Sequence, residues 1–244
     1  MRALALVLML SAMAAPARAE PAGCGAPAEL LDAQPMPGLI RAAGRGTPLR
    51  ALVIGSASVT GPGGTGPAAA WPSRFATLLG MRLQPSEVTV EVQGGRGLAV
   101  ADHVRLLAEW LPRLRPQLVI WQVGTIEAAR GVPRDEFAEA LRNGLAAARA
   151  AGAEVVLMDP QFSRFLRANA DVEAYRDTMR LMAAAAGAQV FSRWSIMLGW
   201  AESDRLDLER APRARRTALT DELNDCLARA LVEFVLDGMA EVRR

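Results

Sequence analysis

The sequence predicts an α/β fold, a three-layer α/β/α sandwich built on a five-stranded parallel sheet. Two observations predict it. Short apolar runs alternate with longer segments of helical periodicity, and the runs are apolar at almost every position, as in strands buried on both faces. Right-handed crossover connections then place helices on both sides of the sheet. The predicted strands are 50–55, 88–93, 117–123, 154–159 and 189–191. The predicted helices are 71–83, 99–111, 134–151, 171–186 and 219–239.

The first nineteen residues are predicted to be a secretory signal peptide outside this domain. Arg2 supplies a positive start, residues 3–15 are almost entirely apolar, and Ala17-Arg18-Ala19 matches an A-x-A cleavage site. The apolar run is too short to span a bilayer, so no integral membrane segment is expected after cleavage. A retained N-terminal anchor is the alternative. The mature protein is expected to be periplasmic or secreted, with an N-terminal extension over 20–48 and one domain over 49–244.

The charge of the mature chain argues against two classes of partner. Cleavage removes two arginines and no acidic residue, which leaves 26 basic and 26 acidic side chains. A nucleic acid or an anionic membrane surface would require a basic excess, so neither is expected as a partner.

Two cysteines, Cys24 and Cys226, are the only ones in the chain. In an exported protein such a pair predicts one disulfide, here between the N-terminal extension and the last helix. Two free, buried thiols are the alternative.

Ligands of a parallel α/β sheet bind beyond the carboxyl ends of its strands. The segments at four of these ends are 55–58, 93–98, 124–127 and 159–161. Val-Ile-Gly-Ser-Ala-Ser-Val over 53–59 resembles the first block of the SGNH (GDSL-like) hydrolase family, a Gly-Asp-Ser or Gly-Ser-Ser turn. Leu-Val-Ile-Trp-Gln-Val-Gly-Thr over 118–125 is the most specific match. The resemblance covers nearly the whole mature chain and implies a flavodoxin-like sandwich.

The resemblance also implies acyl-transfer chemistry. In the family a serine attacks an ester carbonyl, a histidine three residues after an aspartate is the base, and Gly and Asn donors hold the oxyanion. Here the nucleophile position holds Ala57 and the asparagine position holds Ile126. The glycine position falls near Leu98, although a short gap would place Gly95 or Gly97 there.

No catalytic histidine is found in the C-terminal block. In one register the family's histidine and aspartate positions fall on Ala218 and Arg215, and in another they fall on Glu222 and Leu219. The single histidine of the chain, His103, lies in the helix after the second strand and is predicted to be a surface residue. No catalytic residue is therefore expected.

A possible cleft is nevertheless predicted at the strand ends. Its candidate residues are Ser56, Ser58, Gly95, Gly97, Thr125, Glu127 and Gln161. Ser56 and Ser58 are interpreted as turn hydrogen-bonders. The alternative is a displaced nucleophile with Glu222 or Asp221 as base, although a carboxylate is a poor base for a serine unless its pKa is raised.

Other motifs support no further chemistry. Gly61 to Gly66 fits the G-x-G-x-x-G pattern of dinucleotide sites. However, six residues separate it from Ile54 at the end of the strand, and no helix is predicted to begin at Gly66. The segment is therefore interpreted as a mobile loop over the cleft mouth. No metal site and no cofactor are expected, because no cluster of ligand residues is present. Trp110 and Trp121 are predicted to lie in the core, and Trp71 is predicted to pack at the start of its helix. For Trp194 and Trp200, packing is favoured over lining a cleft.

The sequence therefore favours a catalytically inactive SGNH-like protein that binds an unknown ligand, or an envelope protein or glycan. The first alternative is an active serine esterase or deacetylase that acts on envelope acyl esters through Ser56 or Ser58. A structural or assembly protein is the third possibility.

Overall fold

The computed structural model describes residues 22–240. Five parallel strands form one sheet in the order β2-β1-β3-β4-β5. This is the flavodoxin-like strand order, which confirms the predicted fold class. The predicted signal peptide lies outside the described residues. The strands are β1 Leu49–Gly55, β2 Val88–Gly94, β3 Leu118–Gln122, β4 Glu154–Met158 and β5 Gln189–Phe191.

Nine α-helices are found within residues 22–240. They are α1 Pro37–Gly44, α2 Trp71–Arg82, α3 Val100–Leu114, α4 Thr125–Arg130, α5 Arg134–Ala150, α6 Arg164–Asn169, α7 Val172–Ala186, α8 Arg193–Glu202 and α9 Arg216–Met239. The five predicted helices are α2, α3, α5, α7 and α9, and each end agrees to within three residues. The four that were not predicted are short, so they carry few repeats of the helical period. Not one of the helices described has the length and apolar character needed to cross a membrane.

The sheet is covered on both faces. Helix α2 packs against α9, while α5 packs against α3 and α7, and these two groups form the outer layers. Trp121 is fully buried, as predicted, and so is Trp71 at the start of α2. Trp110 is only half-buried at the end of α3, where the Arg113 guanidinium stacks over its ring, so its assignment to the core was wrong.

The N-terminal segment packs onto the domain through specific contacts. The backbone N–H of Met36 donates to the carbonyl of Gly238 at 2.7 Å, and the N–H of Gly38 donates to the Glu154 carboxylate at 2.6 Å. The Cys24–Cys226 disulfide joins the same segment to α9 and confirms the predicted bridge. The segment from Cys24 to Gly38 is therefore fixed to the domain, and the disulfide joins it to the last helix.

Removing this bridge is expected to destabilise the fold. The cross-link closes a loop across a sequence separation of 202 residues, so it restricts the unfolded chain strongly. We expect the Cys24→Ser/Cys226→Ser double variant to lose about 2–4 kcal/mol of unfolding free energy in a denaturant titration. Wild type in reductant is the control and should behave like the variant. Equal stability of variant and wild type, or two free thiols in a non-reducing peptide map, would contradict the prediction.

Two helical glycines differ sharply in their surroundings. A Cβ at Gly144 on α5 would overlap the six-membered ring of Trp121 and lie 3.0 Å from Leu107 Cδ1. A Cβ at Gly199 on α8 would meet nothing within 4 Å. The close approach of α5 to β3 therefore requires glycine at position 144.

This difference gives a matched pair of variants. Gly144→Ala should lower the unfolding free energy by about 1–3 kcal/mol, because the core around Trp121 has no room for a methyl group. Gly199→Ala should raise it by about 0.5–1 kcal/mol, because alanine restricts the unfolded chain and favours the helix. Thermal unfolding of the two variants beside wild type measures both effects. A Gly144→Ala variant at least as stable as Gly199→Ala would refute this account of the packing.

Candidate functional site

The first two strands end in glycines that lie side by side. Gly55 pairs with Gly94, and a Cβ at Gly94 would overlap the Gly55 carbonyl oxygen. After Gly55 the backbone is extended at Ser56 and then makes a 3-10 turn over Ala57–Thr60. This close approach positions the turn at the carboxyl edge of the sheet.

A cleft of about 310 Å³ lies at this edge. Two of the predicted cleft residues, Ser58 and Gln161, are among those that line it, and so is Ala57, which was predicted to occupy the family's nucleophile position. The cleft combines a few polar groups with a larger apolar surface, as small-ligand sites do. The polar lining includes Ser58, Gln161, Arg193 and Asn224, and the apolar lining includes Ala57, Phe162, Met197 and Leu223.

A network of polar side chains runs behind and into the cleft. At the end of β3, the Gln122 amide nitrogen donates to Ser56 Oγ at 3.1 Å, and its oxygen accepts from Ser58 Oγ at 2.6 Å. Arg193 Nη1 donates to Ser58 Oγ at 3.2 Å, and its Nη2 donates to Gln161 Oε1 at 3.0 Å. The two serines are thus held by an amide and a guanidinium.

Sequence reasoning missed both Gln122 and Arg193. Gln122 is a polar residue in an otherwise apolar strand, directly before Val123-Gly124, and this was a usable signal. Arg193 follows the carboxyl end of β5, a strand end at which the sequence predicted no site residue. Its burial depends on tertiary packing, and no local pattern predicts it.

Neither carboxylate considered as an alternative base contacts the serines by a hydrogen bond within the described part of the chain. Glu222 is exposed on α9, and so is Ala218, where one register places the histidine. Asp221 accepts hydrogen bonds from Thr65, at 3.0 Å from the backbone N–H and 2.8 Å from the hydroxyl. Among the described residues, neither carboxylate bonds to Ser56 or Ser58.

The same Asp221 contact anchors the Gly61 to Gly66 loop. Gly61 lines the cleft, and the loop is held to α9 through Thr65. After Gly66 the chain makes a 3-10 turn over Pro67–Ala69 before α2 begins. The glycines therefore do not join a strand directly to a helix, as a dinucleotide site requires.

Glu127 serves as a buried cap rather than as part of the cleft lining. Its two carboxylate oxygens accept from the backbone N–H of Val100 at 2.5 Å and of Gly124 at 2.8 Å. Burial raises the pKa of Glu127, against the effect of these two donors. The carboxylate ties the start of α3 to the start of α4.

The remaining candidates lie around the cleft rather than in its lining. Thr125 Oγ1 accepts from the Gln161 backbone N–H at 3.3 Å, which connects it to a lining residue. The Gly95 N–H donates to the Gly55 carbonyl at 3.3 Å. Gly97, Leu98 and Ile126 are partly buried outside the cleft.

Arg193 is a buried cation without a direct carboxylate partner among the described residues. The nearby Asp159 is also buried, but it accepts from Arg176 Nε at 2.8 Å and from the Trp194 backbone N–H at 2.8 Å. Burial raises the pKa of Asp159, opposed by the charge of Arg176. Burial lowers the pKa of Arg193 to about 10, opposed by the charge of Asp159, so Arg193 stays protonated near neutral pH.

The prediction that His103 lies at the surface was wrong. Its side chain is 1% exposed, and its Nδ1 accepts from Trp121 Nε1 at 3.1 Å. This bond places the proton of the neutral ring on Nε2. Burial lowers the pKa of His103 to about 4, opposed by the charge of Asp102. His103 continues the stripe of Val100, Leu107 and Leu111 on α3, which was the signal available in the sequence.

The two tryptophans considered as cleft platforms are buried. Trp194 packs edge-on against Phe162 with the ring centroids 5.2 Å apart, and Trp200 is also in the core. Phe162 rather than either tryptophan lines the cleft. Within the described part of the chain, no three His, Cys, Asp or Glu side chains are arranged to hold a metal ion.

This sandwich, with a cleft at the turn after its first strand, is the architecture of SGNH hydrolases. TesA matches with a TM-score of 0.57 at 19% identity, over 75% of this chain and 97% of that one. A catalytic mutant of Axe2, an acetylxylan esterase from Geobacillus stearothermophilus, matches with a TM-score of 0.59 at 16% identity, over 77% and 94%. A putative lipolytic protein of the G-D-S-L family from Desulfitobacterium hafniense DCB-2 matches with a TM-score of 0.52 at 17% identity, over 72% and 98%.

Comparison of the sequence with family models assigns the chain to a particular family. Residues 23–241 match the model of the Non-GDSL lipase-like family, and the chain belongs to that family. No curated protein matches the sequence. The structural likenesses establish the SGNH-like fold, and the predicted resemblance is confirmed.

The burial of His103 predicts a specific loss of stability in acid. As the pH falls below 6.5, the unfolded chain takes up a proton on the imidazole, while the folded protein does not until about pH 4. This contribution is fully present above pH 6.5 and is lost towards pH 4, by up to about 3 kcal/mol. As the pH falls from 6.5 to about 4, the unfolding free energy of wild type should therefore decrease relative to that of His103→Gln.

Nuclear magnetic resonance gives a direct check, because the chain has one histidine. Its ring signal should remain that of a neutral imidazole at pH 5.5. A midpoint near 6.5 in the folded protein would contradict the buried, hydrogen-bonded ring.

Proposed function

We propose that this is an exported SGNH-like protein that does not hydrolyse esters and that acts by binding a ligand or partner in the cell envelope. The supporting observation is the turn after β1. Ala57 faces the cleft at the family's nucleophile position, and the adjacent Ser58 donates its proton to the Gln122 amide oxygen at 2.6 Å. An amide oxygen is not a general base, so this serine has no group to activate it.

The position of the histidine supports the same proposal. His103 is held in the core by Trp121 and makes no hydrogen bond to Ser56 or Ser58 among the described residues. Its low pKa also makes it a weak proton acceptor near neutral pH. Nucleophile, base and asparagine donor are therefore all replaced, which a single alignment error does not explain.

The proposed location rests on two features. Residues 1–19 have the pattern of a secretory signal peptide, and the Cys24–Cys226 disulfide is typical of oxidising compartments. The mature chain would begin near Glu20.

An active esterase is the second candidate. Ser58 lines the cleft, and the Arg193 guanidinium bonded to its oxygen could stabilise developing negative charge. Two structural neighbours are named as acetylxylan esterases. This candidate lacks a base that contacts Ser58.

An assay with p-nitrophenyl acetate separates the two candidates. We expect wild-type turnover to equal that of a Ser56→Ala/Ser58→Ala double variant, because neither serine is activated. Ala57→Ser should not create activity either, since the general base that supplies about 10²–10⁴-fold is still absent.

The control variant is Ser203→Ala, which changes an exposed serine whose hydroxyl, among the described residues, donates only to the carbonyls of Gly199 and Trp200. Turnover that survives Ser203→Ala but disappears in Ser58→Ala would establish the esterase and refute the proposed binding role.

A further inference from the structure

The Arg193 guanidinium is the least compensated charge in the cleft. The side chain is 2% exposed, and its Nε has no hydrogen-bond partner among the described residues. Its two bonded nitrogens donate to neutral oxygens, those of Ser58 and Gln161. Burying a charge without an opposite charge in contact is costly, so an anion in the cleft would offset this cost.

The other arginine that lines the cleft is already paired. Arg164 Nη1 donates to Asp207 at 2.8 Å, and Nη2 lies 2.7 Å from the same carboxylate. Glu209 lies 3.5 Å from this guanidinium. The cleft therefore offers one guanidinium to an incoming anion, and the carboxylates of Asp207 and Glu209, which also line the cleft, disfavour a doubly charged one.

The apolar lining restricts the ligand further. Phe162, Met197 and Leu223 share the cleft with Arg193, so a ligand there would contact both a charge and an apolar surface. A volume of about 310 Å³ lies at the lower end of the range for small-molecule sites.

We propose that the cleft binds a small organic carboxylate, with its charged group on Arg193 and its apolar part against Phe162, Met197 and Leu223. This inference rests on the proposed non-catalytic binding role and names the chemical class of the ligand. Arg193 Nη1 and Nη2 each use one N–H for Ser58 or Gln161, so a carboxylate in the cleft could accept from the second N–H of both. Asn224 lines the same cleft, and its side-chain amide would supply a further polar contact.

Calorimetric titration of the full mature protein with hexanoate tests the inference. Hexanoate should bind saturably and more tightly than acetate, whereas hexanamide, 1-hexanol and inorganic phosphate should bind at least about tenfold more weakly, because a charged hydrogen bond or the apolar contact is missing. These comparisons use wild-type protein alone, so they remain decisive if a variant fails to fold.

Two substitutions locate the binding group. Arg193→Gln should weaken hexanoate binding at least about tenfold, and Arg193→Lys should weaken it less, because a point charge replaces the planar fork. Arg142→Gln is the matched control: it removes an exposed arginine on α5, outside the cleft lining, and should leave binding unchanged. Circular dichroism establishes that each variant is folded.

Several results would overturn the inference: no saturable binding, hexanamide binding as tight as hexanoate, phosphate binding tighter than hexanoate, or an equal loss of affinity in Arg142→Gln and a folded Arg193→Gln. The esterase assay is read separately. Turnover lost in Ser58→Ala would refute the proposed function, whereas failure of the hexanoate series without turnover would refute only the carboxylate.

Discussion

The side-chain amide of Gln122 joins the two serines that follow β1, and the rest of the site is arranged around this contact. Buried polar groups must find partners inside the protein, because burial removes them from water. Ser58 also accepts a hydrogen bond from Arg193, and Arg193 in turn donates to Gln161 after β4. The ends of β1, β3, β4 and β5 are thereby connected by side chains, in addition to the backbone ladder.

The same requirement explains which parts of the molecule could be predicted from the sequence. The central strands are recognisable because burial on both faces makes almost every residue apolar, as in Leu52-Val53-Ile54. The disulfide followed from the presence of only two cysteines. Burial of Arg193 could not be predicted, because arginine is mostly exposed and its hydrogen-bond partners, Ser58 and Gln161, come from two distant segments. His103 differs from Arg193, since its helical spacing did indicate the buried face.

The hydrogen-bond needs of buried groups also explain why the predicted cleft residues do not all line the cleft. Ser58 and Gln161 line the cleft, whereas Glu127 lies in the core and caps two helices. Position at a strand end brings a residue near the site, but the side chain's direction depends on which donors are nearby. Two backbone N–H groups that lack helical partners, at the starts of α3 and α4, draw the Glu127 carboxylate inward.

The positive charge of Arg193 disfavours histidine-based catalysis in this cleft, whichever residue occupies the nucleophile position. A triad histidine becomes an imidazolium when it accepts the serine proton, and a buried guanidinium next to that serine would raise the cost of the second cation. The Arg193 charge would favour an oxyanion, but among the described residues no base contacts Ser58 to form the alkoxide that would produce one. The same charge favours an anion that arrives already ionised. In the proposed binding role, Ala57 at the predicted nucleophile position and the buried Arg193 charge are consistent with each other, because the guanidinium stabilises negative charge that a ligand already carries.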